Sequence, residues 1–112
     1  MTLLYSQTVV ILRAALVVDR YGNDVRDWTR ATKTTVGGVS VQPDGSTEAT
    51  GDRPVIVSGL RLTTRRGIDI DVASGDRVEF AGRLLDVDGH PARFVLAGRH
   101  HHTEVRLREV TG

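Results

Sequence analysis

The sequence predicts an all-β fold, a small antiparallel β-barrel of six or seven short strands with a long loop between the second and third strands. Three observations predict it. Apolar and polar residues alternate over short segments, which is the period of a strand with one buried face. Hydrophobic residues make up 39% of the chain but aromatic residues only 4%, so the core must consist mainly of aliphatic side chains. Twelve glycines and only three prolines supply tight turns, and so small a sheet hides its edges best by curling.

The first strand is predicted from Thr8 to Val18. Two alternating sets of residues cover it, Val10, Leu12, Ala14, Leu16 and Val18 on one face and Val9, Ile11, Arg13, Ala15 and Val17 on the other. A helix is the alternative for so short an apolar run, but five of the ten residues from Val9 to Val18 are β-branched, which favours a strand.

A turn is predicted at Asp19–Asp24, where Gly22 and Asn23 suit left-handed backbone conformations. Residues 25–32 are polar apart from Val25, Ala31 and Trp28, whose ring is expected to cover an edge of the core. A second strand follows at Thr34–Gln42, with a bulge or bend expected at Gly37 and Gly38 because Val36 lies out of phase with Val39.

The longest predicted loop runs from Pro43 to Pro54, a polar segment whose one apolar residue is an alanine. A third strand is predicted at Val55–Thr63 and a short fourth strand at Ile68–Val72. A hairpin is predicted around Gly82, with Val78 and Phe80 on one strand and Leu85 and Val87 on the other. The brief apolar run at Phe94–Leu96 precedes a closing strand at Thr103–Arg108. The predicted core consists of Val10, Leu12, Leu16, Val39, Val41, Ile56, Leu60, Leu62, Val78, Phe80, Leu85, Val87, Val105 and Leu107.

Length and composition bound the organisation of the chain. Residues 1–112 are predicted to form a single domain. The apolar run at Val9–Val18 contains Arg13 and is about half the length of a membrane helix. Because residues 1–8 lack the basic leader of a signal peptide, neither a membrane span nor secretion is predicted. The chain has no cysteine, which excludes a disulfide framework and a thiolate metal site and is consistent with assembly in the cytoplasm.

The formal net charge is +1, which does not favour free-standing nucleic-acid binding. An OB-like module is the alternative, since a small barrel can carry exposed arginines such as Arg61, Arg65, Arg66, Arg106 and Arg108. The aromatic side chains on which such modules stack bases are scarce here.

No catalytic motif is present. The triplet His100–His102 contains metal-ligand side chains, but neighbouring residues of a strand point to opposite faces, so at most two imidazoles could converge and no metal site is predicted. Asp86–Gly89 matches the start of a calcium loop without its closing glutamate. Neither a Gly-x-Ser-x-Gly elbow nor a phosphate-binding glycine loop occurs. We therefore expect no enzyme, no cofactor and no small-molecule substrate.

Two stretches together resemble the head-to-tail stopper, or head-closure, family of long-tailed bacteriophages that infect actinobacteria. The first is Val-Asp-Arg-Tyr-Gly-Asn-Asp-Val-Arg-Asp-Trp at Val18–Trp28. The second is Gly-Asp-Arg-Val-Glu-Phe-Ala-Gly-Arg-Leu-Leu-Asp-Val-Asp-Gly at Gly75–Gly89, followed by Pro-Ala-Arg and a His-containing stretch. The order and spacing match along nearly the whole chain. This chain has Phe80 and Leu85 where the family often has Trp and Tyr.

The resemblance implies a structural virion protein that forms a homo-oligomeric ring in the phage neck, below the portal and adaptor. Such a ring closes the DNA channel after packaging and offers a docking surface to the tail terminator and tail tube. Contact with packaged double-stranded DNA is implied, and a membrane is not. The channel-gating loop would be formed by Asp44, Gly45, Ser46, Thr47, Glu48, Ala49, Thr50, Gly51, Asp52 and Arg53. The nearest rival is another connector or tail-completion protein of the same size.

Overall fold

A computed structural model of the protein describes residues 5–44, 46–50, 53–57 and 59–110; between 45 and 58 the description covers backbone only. The strands of these residues are β1 (Gln7–Val18), β2 (Asp24–Pro43), β3 (Ser46–Thr50), β4 (Arg53–Val57), β5 (Leu60–Thr63), β6 (Arg77–Phe80), β7 (Arg83–Val87), β8 (Ala92–Leu96) and β9 (Arg99–Glu109). Within the described part of the chain, no helix is long and apolar enough to cross a membrane.

Seven of these strands form one antiparallel sheet in the order β5-β2-β1-β6-β7-β9-β8. β5 also pairs with β9, so β5, β2, β1, β6, β7 and β9 form a closed ring, which we call the strand ring. β8 pairs with β9 alone and stays outside it. The predicted all-β, barrel-like fold is confirmed.

The core lies inside the strand ring. Residues in register point to the same side of a sheet, so Ile11, Val78 and Leu85 stack across three neighbouring strands. The core cluster comprises Val9, Ile11, Val39, Val41, Leu60, Leu62, Ile70, Val72, Val78, Leu85, Val87, Val105 and Leu107, with Val36 and Phe80 packed against it. Most of the predicted core is therefore confirmed; the side chain of Ile56 lies outside the described residues.

β1 was assigned the wrong inward face in the predicted core. Val9 and Ile11 are buried, whereas Val10 is half-buried and Leu16 is 69% exposed. β1 pairs with β6 only from Val10 to Leu12, so the strand leaves the ring before it reaches Leu16. Leu12 is buried as predicted, but it lies outside the core cluster.

β2 is longer than predicted because residues 25–32 continue the ladder with β1. The predicted bulge is present: between the pairs Val9–Val36 and Gln7–Val39, β2 advances three residues while β1 advances two. Gly38 takes a φ of 70° there, a conformation that glycine adopts without strain.

The predicted loop at Pro43–Pro54 is largely a hairpin. β3 and β4 pair with each other from Ser46–Val57 to Thr50–Arg53 and form a separate two-stranded sheet. The predicted third strand is accordingly divided between β4 and β5. Ser46–Thr50 can form a strand despite its polar sequence because backbone hydrogen bonds need no apolar side chains.

The predicted fourth strand, Ile68–Val72, is wrong. Residues 64–76, the cap segment, contain no strand, yet Ile70 and Val72 are 4% and 3% exposed and join the core. Their alternation with aspartates mimics a strand, but Asp69 and Asp71 bind side chains of other elements instead of flanking a ladder.

Candidate functional site

The exposed apolar side chains of the described residues gather mainly in two places. The first is the ribbon tip, which we define as residues 16–25, where Leu16, Val18 and Tyr21 are 69%, 68% and 76% exposed. The second is the β8 edge, Phe94–Leu96, whose three residues are 44–60% exposed. The ribbon tip lies where β1 and β2 extend beyond their ring neighbours, and β8 lies outside the ring. Exposed apolar patches of this kind mark surfaces that bind another molecule.

The ribbon exists because β1 and β2 continue to pair beyond their ring neighbours. β6 contacts β1 only at Val10–Leu12, and β5 contacts β2 only at Ser40–Pro43, while the β1–β2 ladder extends to Val18 and Asp24. The predicted turn closes the ribbon. There the Asp19 carboxylate accepts hydrogen bonds from the N–H groups of Tyr21 and Asn23 at 2.8 and 2.9 Å.

The ribbon is anchored to the ring on its outer face. The guanidinium of Arg77 lies 4.2 Å from the centroid of the Trp28 ring, and Arg77 is in register with Leu12. Leu12 is buried but lies outside the core cluster, on the same face of the sheet as Arg77. Trp28 is thus half-buried over the outside of the sheet, with a cation on its ring.

The β8 edge is held by β9 on one side only. Phe94 is in register with His102, and their rings stack with centroids 4.5 Å apart and 10° between planes. The connecting turn places Ala97 and Gly98 at φ values of 51° and 75°, the left-handed pair typical of two-residue hairpins. All five residues of β8 are exposed. The backbone groups on its outer side are therefore available to another strand.

The three histidine side chains form hydrogen bonds within the protein. His100 Nε2 lies 3.1 Å from the Ile68 carbonyl oxygen, and His102 Nε2 lies 2.8 Å from a Glu104 carboxylate oxygen. His101 and His102 share a hydrogen bond between their Nδ1 atoms at 2.7 Å. The described residues contain no His, Asp and Glu cluster placed to hold a metal ion. Of the three side chains, His100 connects β9 to the cap segment, while His102 stacks on Phe94 of β8.

One end of the cap segment is tied to β9 and β8. Asp69 accepts a hydrogen bond from the Thr103 hydroxyl at 2.7 Å and pairs with Arg93 at 3.1 Å. Arg93 also donates to the carbonyls of Ile70 and Val72. Desolvation raises the pKa of Asp69, but the bonds from Thr103, Ile70 N–H and Arg93 together outweigh it and hold the pKa below its ordinary value.

The other end of the cap segment is tied to β1 through Arg13. Its guanidinium lies 2.9 Å from Asp76 and 3.2 Å from Asp71, and Asp76 also accepts the Ala73 N–H at 2.8 Å. The hydrogen bonds to Asp76 and then Asp71 raise the pKa of Arg13 above its ordinary value. Arg13 is the charged residue within the first apolar run, and it connects β1 to the cap segment.

Within the described part of the chain, four of the five aromatic side chains make separate contacts rather than forming a common stacking platform. Trp28 lies under Arg77, Phe94 stacks on His102, and Phe80 packs against the core. Tyr21 is 76% exposed at the ribbon tip, with the Arg20 guanidinium 5.3 Å from its ring centroid. Oligonucleotide binding by successive base stacking needs such rings side by side. This arrangement does not supply them.

A cleft of about 870 Å³ lies beside the β8 edge, between the cap segment and the β8–β9 turn. It is lined by Arg66, Gly67, Leu96, Ala97, Arg99, His100 and His101. The lining contains two guanidinium groups and no carboxylate. The sequence singled out Arg66 and the histidines, but it did not place them beside Leu96.

The predicted gating segment lies at the base and along the length of the β3–β4 hairpin. Asp44 is half-buried, accepts a hydrogen bond from Arg61 at 3.0 Å, and donates its N–H to the Gly59 carbonyl at 2.9 Å. Ser46–Thr50 form β3 and Arg53 begins β4. Gly45, Gly51 and Asp52 lie outside the described residues. The side chains predicted to gate a channel are thus described at Asp44 alone.

The fold has counterparts among solved structures. It is similar to a chain in the virion of a native gene transfer agent particle, with a TM-score of 0.61 and 19% identity over 95% of this chain and 96% of that one. It is also similar to the solution structure of protein SF1141 from Shigella flexneri 2a, with a TM-score of 0.60 and 19% identity over 97% and 96% of the two chains. No protein-family model and no curated protein matches the sequence.

Proposed function

We propose that the chain is a structural protein of a phage-like particle and acts at its neck as a head-to-tail stopper. In this role it forms a ring below the portal and adaptor, closes the DNA channel after packaging, and presents a docking surface to the tail. Binding and assembly suffice for this task, so we propose that the protein is not an enzyme.

The observation that carries this proposal is the agreement between sequence and fold. The two stretches that resemble stopper proteins span the ribbon turn at Val18–Trp28 and the β6–β7 hairpin within Gly75–Gly89. The same chain shares its fold, over nearly its full length, with a chain of a gene transfer agent virion. Two independent comparisons therefore favour the same class of particle.

The free strand edges suit an assembly role. A strand with one unpaired side offers a row of backbone donors and acceptors, which another protein can extend by strand addition. The ribbon tip and the β8 edge combine this backbone with exposed apolar side chains. A neck protein has to contact copies of itself, the head side and the tail side at once, so it needs several such surfaces.

We further propose that Asp44–Arg53 contributes the channel gate. The β3–β4 hairpin forms a sheet of its own, and Asp44 pairs with Arg61 where the hairpin leaves the strand ring. A two-stranded hairpin fixed at its base can reach into a channel and be moved aside as a unit. Packaged double-stranded DNA is the partner that such a gate would contact.

Deletion of the gene from its particle, followed by electron microscopy of the lysate, tests this function. The proposal predicts full-length tails beside unjoined heads that have lost their DNA. Heads that keep their DNA beside misassembled tails would indicate a tail-completion protein instead. Complete infectious particles would contradict a neck role altogether.

A further inference from the structure

We propose that copies of this chain join edge to edge, with Leu16–Val18 of β1 in one copy adding to Phe94–Leu96 of β8 in the next. The pairing rests on the proposed ring assembly, for which it names the contact between neighbouring subunits.

The free strand edges outside the ring differ in how they are protected. Beyond the strand ring, β1, β2 and β8 each have one side without a strand partner among the described residues. The free side of β2 runs past Arg26, Asp27, Arg30 and Lys33. Charged side chains along an edge prevent it from pairing with another strand. The edges of β1 and β8 carry no such protection at Leu16–Val18 and Phe94–Leu96.

The free edges of β1 and β8 are similar in composition and exposure. Each presents three consecutive apolar residues, and Leu16, Val18, Val95 and Leu96 are 60–69% exposed. Strand addition would satisfy their backbone groups and cover their side chains together. Within the strand ring, the valines and leucines of the core cluster are at most 9% exposed, whereas Leu84 of β7 is 37% exposed. The four apolar residues at these two edges are therefore clearly more exposed than Leu84.

A contact between β1 and β8 has the symmetry of a ring. The two edges are different surfaces of one molecule, so a contact between them is heterologous: each copy offers a β1 edge to one neighbour and a β8 edge to another. Contacts of this kind generate a ring when the rotation closes. A contact of β1 with β1 or of β8 with β8 would instead end at a dimer.

The charges beside the two edges are complementary. The cleft next to Leu96 contains Arg66 and Arg99 and no carboxylate. The turn next to Val18 carries Asp19 and Asp24 against Arg20, a formal charge of −1. Opposite charges favour the approach of one edge to the other and disfavour contact between two copies of the same edge. The second copy of this chain is thus the partner that both edges fit.

Cysteine cross-linking of the full chain tests the pairing, because the natural sequence contains no cysteine. We would prepare Val18→Cys and Leu96→Cys as separate proteins and oxidise each alone and in an equimolar mixture. In a parallel contact Val18 lies opposite Leu96, so the two thiols are within reach only in the mixture. In an antiparallel contact Leu16 lies opposite Leu96, so a second mixture pairs Leu16→Cys with Leu96→Cys. We expect disulfide-linked dimer as the main product of one of the two mixtures and its loss when either protein is oxidised alone.

A matched control replaces Val18→Cys by Thr35→Cys, on the polar free edge of β2, and is expected to give no dimer with Leu96→Cys. Dimer formation by Val18→Cys alone, equal cross-linking of the control, or no dimer in either mixture would each overturn the pairing. Circular dichroism would verify that each variant is folded. The gene-deletion experiment tests the neck role separately from this contact. A neck phenotype without cross-linking would leave the proposed function standing and reject only the β1–β8 contact.

Discussion

The two halves of β1 have nearly the same composition and opposite environments. Val9 and Ile11, in the half that belongs to the strand ring, are 1% and 3% exposed, whereas Leu16 and Val18, in the half that forms the ribbon, are 69% and 68% exposed. The apolar residues of the first half stabilise the fold. Those of the second half contribute little to it and are free to bind another molecule.

The largest contrast in stability is expected between two leucines. Leu85→Ala, which opens a cavity at a fully buried position of the ring, should lower the free energy of unfolding by about 2–5 kcal/mol. Leu16→Ala should change it by less than about 0.5 kcal/mol, because its side chain is already in water. Urea denaturation at low protein concentration measures both. Similar losses for the two variants would show that the ribbon is part of the cooperative core.

The next largest effect on stability is expected when the carboxylates that bind Arg13 are removed. Asp76→Ala removes a buried carboxylate that binds Arg13 and the Ala73 N–H, and it should cost about 1–3 kcal/mol. Asp71→Ala removes the other partner of Arg13, which is 89% exposed, and should cost less than about 1 kcal/mol. The same denaturation assay compares them. Equal costs would mean that the cap segment is not held at Asp76.

The cap segment should also respond to acid through Asp69. The pKa of this carboxyl is lowered in the folded protein from an ordinary value of 3.8, so its stabilising effect is present above that pH and is lost as the pH falls below it. Asp69→Asn should therefore be less stable than the natural protein at neutral pH, and the difference should shrink below 3.8. A difference in urea midpoint that stays constant across this range would contradict the assignment.

The smallest effect is expected at the hairpin turns. Ala81 and Ala97 have positive φ values of 52° and 51°, a conformation that alanine adopts at a cost and asparagine tolerates. Ala97→Asn should raise the free energy of unfolding by up to about 1 kcal/mol. Ala92→Asn, on the exposed strand β8 that precedes this turn and not at positive φ, serves as the control and should give no gain.

The alternation of apolar and polar residues predicted the strands of the ring, because one face of such a strand meets the core and the other meets solvent. The Val78–Leu85 hairpin, the closing strand and the bulge at Gly38 are all confirmed. The inward face of β1 was not predictable, since Val9 and Val10 differ only in which neighbour they meet. At Ile70 and Val72, alternation arose from a capping loop whose aspartates bind arginines from distant strands.

The candidate surfaces were harder to predict than the fold. Phe94–Leu96 was recognised as an apolar run, but nothing in its local sequence distinguishes a buried strand from a free edge. That difference depends on whether β8 has a strand partner on the side away from β9, and among the described residues it has none. The polar segment at Ser46–Thr50 was interpreted as a loop because it lacks the apolar alternation of a strand, but its backbone pairs with β4. The gating role of this segment stays a prediction.

The most direct test of this account is complementation of the gene-deleted particle with Leu16→Asp/Val18→Asp, beside the control Thr32→Asp/Thr34→Asp on exposed positions of β2. The account predicts that both proteins unfold at nearly the natural urea concentration, and that only the ribbon-tip variant fails to restore joined heads and tails. Full restoration by the ribbon-tip variant would contradict the claim that the exposed half of β1 serves assembly.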